Sequence, residues 1–117
     1  MMDPANIETK IGELQILESH LQQLIAQKQA FQVELNEITN ALGELSHGDD
    51  DVYRIISGIM VKSDRRGIVK DLEEKKRVMN LRISSLEKQE EMLSARAATF
   101  RKEITGAVSK RTEQGTR

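Results

Sequence analysis

Two long stretches of this chain repeat apolar residues on a seven-residue cycle, and no proline interrupts either of them. In the first stretch one row reads Ile7, Leu14, Leu21, Lys28, Leu35, Leu42 and the other Lys10, Leu17, Leu24, Phe31, Ile38, Leu45. In the second the rows read Val69, Lys76, Ile83, Glu90, Ala97, Ile104 and Leu72, Met79, Leu86, Leu93, Phe100, Ala107. Ten of the twelve positions in each stretch are apolar, a pattern that a helix meets only by laying one seam against another helix. The first helix is expected over 5–46, with Asp3 as N-cap and Pro4 in its first turn. Gly48 and the triplet Asp49-Asp50-Asp51 end it. The second is expected over 65–108 behind the cap Ser63-Asp64, with 109–117 as a flexible polar tail beyond Gly106.

The two helices suit each other better than either suits a parallel copy of itself. Ala5–Leu45 carries six acids and two bases, whereas Arg65–Thr105 carries seven acids and eleven bases. Opposite net charge favours pairing within the chain. A short connection makes that pairing antiparallel, and setting Leu45 against Val69 pairs Leu42 with Leu72, Phe31 with Ile83 and Leu14 with Phe100. Lys28 and Glu90 then fall about a layer apart and could fix the register.

Between the helices lies a β-like run, Val52–Ser63. Val52-Tyr53-Arg54-Ile55-Ile56 is β-branched and aromatic, Ser57-Gly58 supplies a two-residue turn, and Ile59-Met60-Val61-Lys62-Ser63 returns. A lone hairpin is marginal in water, and this one has apolar residues on both faces and two unpaired edges. It therefore needs strands from other chains. The expected oligomerisation residues are Val52, Tyr53, Ile55, Ile56, Ile59, Met60 and Val61. The fold class is mainly α: a long antiparallel coiled-coil α-hairpin with a β-hairpin at its turn, one unit over 1–117.

Composition narrows the function. Aromatics make up 3%, and a charged fraction of 32% leaves a formal net charge of only −1, a poor match to nucleic-acid binding. Without cysteine there is no disulfide or thiolate site, and no apolar run approaches the roughly 20 residues of a membrane span. The opening residues MMDPANIE lack the basic and apolar regions of a signal peptide, so a cytoplasmic setting is expected. His20 and His47 have no partners at metal-ligand spacing, and Asp49-Asp50-Asp51 lacks the spacing of a calcium loop. The basic clusters Arg65-Arg66 and Lys75-Lys76-Arg77 alternate with acids, as a solvated helix face does. Neither a phosphate loop nor an acid–base pair is present, so no enzyme, cofactor or metal is expected.

What remains is apolar residue in excess of the seam. Ile11, Ile16, Met92 and Val108 lie off it near the free helix ends, where Lys10, Ala97 and Ala107 also make the seam weak. Such a loosened end could hold other proteins through exposed aliphatic surface. Its expected client-binding residues are Ile7, Ile11 and Ile16 on the first helix, with Phe100, Ile104 and Val108 on the second.

The run from Val52 to Lys62, with Leu72, Met79, Arg82 and Ile83 after it and Leu86-Glu87-Lys88-Gln89-Glu90-Glu91 later, resembles the beta class of the prefoldin family. The likeness covers about Ile7–Lys110; the hairpin is its specific part, and a single hairpin points to beta rather than alpha. The family usually has glycine where Ser57 stands, so a turn shifted by one residue is an open possibility. The resemblance implies a hexamer of two alpha-class and four beta-class subunits whose hairpins build a double β-barrel. Their coiled coils would hold unfolded clients at the tips and deliver them to a group II chaperonin without nucleotide. The absence of cysteine fits an archaeal type. A coiled-coil adaptor with one fixed partner is the alternative.

Overall fold

A computed structural model describes the backbone of residues 4–46 and 51–115 and the side chains of 6–46 and 51–110. The expected cap Asp3, the loop residues His47, Gly48, Asp49 and Asp50 and the last two residues lie outside the described set. The order of elements is α1 (Pro4–Leu45), β1 (Val52–Ile56), β2 (Ile59–Ser63) and α2 (Arg65–Gly115). Every seam position read from the heptads is buried or half-buried, including the polar Lys10, Lys28, Lys76 and Glu90.

One boundary differs. α2 continues to Gly115, through the stretch expected to be a flexible tail from 109. A single interior glycine such as Gly106 costs a helix only about 1 kcal/mol, and the residues after it are mostly good helix formers with no proline among them. Contacts along the chain also divide into two compact units, one over Lys28–Ser85 and one joining Met1–Gln27 to Leu86–Arg117. Paired helices touch layer by layer, so no single core gathers their contacts.

In the unit Lys28–Ser85, Ile38, Met79 and Ile83 form the buried seam. The Arg82 guanidinium lies 5.7 Å from the Phe31 ring centroid, within one residue of the expected register. The join between helix and hairpin is held by hydrogen bonds. Ser46 donates its backbone N–H to Leu42 O at 3.1 Å, and its hydroxyl to Gly43 O at 2.7 Å. Arg65 donates to Leu45 O, so the first residue of α2 places a cation on the C-terminus of α1. Asp64 acts as the N-cap of α2, accepting from the Gly67 N–H at 3.3 Å. Further along, Arg77 hydrogen-bonds Glu74 and, with its charge, holds that carboxyl below the usual carboxylate range.

The hairpin closes without a shift. Val52 pairs with Ser63 and Ile56 with Ile59, leaving Ser57-Gly58 as a two-residue turn. Both turn residues have positive φ, 51° and 81°, the geometry whose twist matches that of the flanking strands. The possibility of a displaced turn is thereby removed. In the other unit, Ile7, Leu17 and Leu24 of α1 and Leu86 and Ala97 of α2 are buried. The Lys10–Glu103 ion pair there again falls within one residue of the expected register.

Candidate functional site

The hairpin brings all seven expected oligomerisation residues onto two strands. By the cross-strand register, Tyr53, Ile55 and Met60 share one face, while Val52, Ile56, Ile59 and Val61 share the other with Arg54. Val52 is half-buried; the other six are exposed, Ile55 to 71%. Among the described residues the sheet has two strands, so each has one edge without a strand neighbour. Two-sided apolar exposure and open edges together make a surface that water disfavours and another strand would cover.

Two exposed ion pairs flank this surface. Arg54 reaches Asp71 of α2 at 3.0 Å, tying β1 to the helix that follows the hairpin. Lys62 reaches Asp51 at 3.5 Å. Under the hairpin a groove of about 320 Å³ is lined by Ala41, Leu45, Val52, Tyr53, Ile68 and Leu72, with the charged Glu44 and Arg54. Its apolar lining extends the face of Val52 toward the roots of the helices.

The six residues expected to bind clients are placed unequally. Ile11, Ile16 and Val108 are exposed, Ile16 to 70%, and Phe100 and Ile104 are half-buried. Ile7 is not available: at 4% exposure it is part of the seam, as its heptad position already required. Ile16 and Phe100 come together on one groove of about 310 Å³, with Glu13, Leu17 and Arg96. Met92, off the seam as expected, is the most exposed large apolar residue among those described, at 73%.

The seam at this end is less loose than the sequence suggested. Ala97 has no exposed surface, because a methyl side chain lets the facing helix approach closely and cover it. Lys10 keeps its seam position by pairing with Glu103 and by lying 5.7 Å from the Phe100 centroid, with Arg96 at 5.9 Å from the same ring. Sequence reasoning passed over Ile25, Val33 and Leu81, all exposed and all off the heptad rows. Their positions in the repeat were the signal that could have found them.

His20 is exposed and His47 lies outside the described residues, and among those described no group of three or more His, Asp or Glu could hold a metal. Nor, among them, is any helix long and apolar enough to cross a membrane.

Comparison with known proteins agrees with this geometry. A family model for prefoldin subunits matches residues 8–111. The prefoldin beta subunit of Archaeoglobus fulgidus is 32% identical over 91% of this chain and 93% of its own length. That of Saccharolobus islandicus is 31% identical over 96% and 90%. The crystal structure of the prefoldin beta subunit from Thermococcus strain KS-1 superposes with a TM-score of 0.83 at 30% identity, covering 92% of this chain and 96% of that one. With matches this long on both sides and the two-helix, one-hairpin order in common, the chain belongs to the prefoldin family of chaperone subunits, in its beta class.

Proposed function

We propose that this chain is the beta-class part of a hetero-oligomeric holdase. Two alpha-class and four beta-class subunits would join through their hairpins, and the complex would keep non-native polypeptides from aggregating and pass them to a group II chaperonin. The observation that carries this reading is the hairpin, whose apolar residues are exposed on both faces and whose edges are open. Among the described residues no further strand pairs with it. Val52, Tyr53, Ile55, Ile56, Ile59, Met60 and Val61 are its assembly residues.

Clients bind at the free helix ends. Ile11, Ile16 and Val108 supply exposed aliphatic surface there, with Phe100 and Ile104 half-exposed beside them. An unfolded chain presents scattered apolar groups without fixed geometry, so each contact is weak, about 1–3 kcal/mol for a well-buried aliphatic side chain. Several subunits acting on one client raise the effective concentration of these contacts. Binding of this kind runs on burial alone and needs neither nucleotide nor metal. A cysteine-free chain suits the reducing cytoplasm, where the complex would work.

Suppression of aggregation tests this reading. The chain, assembled with a candidate alpha-class subunit, should protect several unrelated unfolded proteins equally with and without ATP or EDTA. An adaptor built for one partner would protect none of them. Loss of protection in EDTA would return His20, His47 and the aspartates to consideration as metal ligands.

A further inference from the structure

The end of the helix pair that carries the candidate client residues is closed by charge where its seam is short of apolar surface. Continuing the register, the last layers set Ile7 against Ala107, Lys10 against Ile104 and Leu17 against Ala97. Ile7–Ala107 and Lys10–Ile104 each have a small or charged member and bury less apolar area than a pair of leucines would, whereas Leu14–Phe100 and the tightly covered Leu17–Ala97 hold the seam further in. Two ion pairs cross between the helices in the same stretch. Lys10 Nζ meets a Glu103 carboxylate oxygen, and Arg101 donates to Glu18 Oε1 at 3.2 Å. Lys10 also lies over Phe100.

All four charged side chains are partly solvated, between 29% and 53% exposed. Ion pairs so exposed are weak and are screened by salt. Closing the end buries Ile7 to 4% and half-covers Ile104. Opening it would release both beside Ile11 and Val108, which are already exposed.

We propose that Lys10–Glu103 and Glu18–Arg101 form a clasp that sets how often the end opens, and through it how much aliphatic surface a client meets. This rests on the holdase reading and adds its regulation. Breaking a pair raises the open fraction, and replacing Lys10 by an apolar residue lowers it, since the seam then closes by burial.

The test uses the full-length chain in its assembled form at fixed salt, with two readouts. The first is amide exchange of residues 7–14 and 100–107. E103Q and E18Q should each speed it by about two- to fivefold, the range of an exposed ion pair, and the double variant by about tenfold. K10L should slow it, and the exchanged pair K10E with E103K should restore the rate of the parent. The second readout is the amount of unfolded client held, which should rise with E103Q/E18Q and fall with K10L. Exchange that ignores all these changes overturns the clasp. So does faster exchange with unchanged client capture, provided that a chain lacking both ends has lost capture; clients then bind the ends without needing them open. If the chain lacking both ends still captures clients, the client site itself is wrongly placed, and the clasp has no bearing on holding.

Discussion

Ser57 sits at φ 51°, a left-handed conformation in which its Cβ is crowded by backbone, and Gly58 follows at 81°. A Cβ added at Gly58 would meet nothing within 4 Å, so any effect there is conformational and not a clash. Gly58→Ala should therefore weaken the hairpin by about 1–2 kcal/mol. Ser57→Gly should strengthen it by a smaller margin, about 0.5 kcal/mol, because glycine also gains freedom in the unfolded chain. Urea titration of the assembled complex measures both, and equal midpoints for the two variants would show that the turn does not limit assembly. Ala97 poses the opposite problem. Its side chain is wholly covered, and Ala97→Leu should force the helices apart at a cost of about 1–3 kcal/mol, read as a fall in thermal midpoint.

At the level of the elements, the hairpin has the least to lose inside its own chain and the most to gain outside it. Ile55→Asp should leave the helical content of the subunit unchanged, since Ile55 is exposed and touches no seam. In the assembly the same carboxylate would be desolvated, at a cost on the order of several kcal/mol, and the oligomer should be lost. Size-exclusion chromatography beside circular dichroism separates the two effects; a variant of unchanged size would end the assembly role of the hairpin. These elements were legible in the sequence because each announces itself by period: seven for the seams, two for the strands. What periodicity does not report is how closely the helices approach. Ala97 therefore looked like a weak point when it is a point of tight contact, and Lys10 looked like a gap when it is bridged to Glu103. Ile7 is expected to bind clients, yet its place in the seam buries it. The helix beyond Gly106 was misread for a different reason, since the cost of one glycine is small against the cooperativity of a long helix.

For the whole molecule, the two proposed activities should come apart by deletion. Removing Met1–Gly12 together with Ser94–Arg117 takes away Ile7, Ile11, Phe100, Ile104 and Val108 and leaves the hairpin intact. Assembly should persist and aggregation suppression should disappear; an oligomer that still protects clients would move the binding surface to the hairpin body or the remaining helix walls. The antiparallel pairing has a consequence of another kind, for the order in which the chain comes into being. Arg65 and Leu45 are 20 positions apart, but Lys10 and Glu103 are separated by 93. Contacts near the turn close short loops and can form early, and those at the free ends wait for nearly the entire chain. At about 5–20 residues per second of synthesis, the start of α1 waits roughly 5–20 s for its partner strand of helix. For most of that interval Leu14, Leu17, Leu21 and Leu24 lack their partners on α2, so the nascent subunit displays the same kind of surface that it would later shield in others.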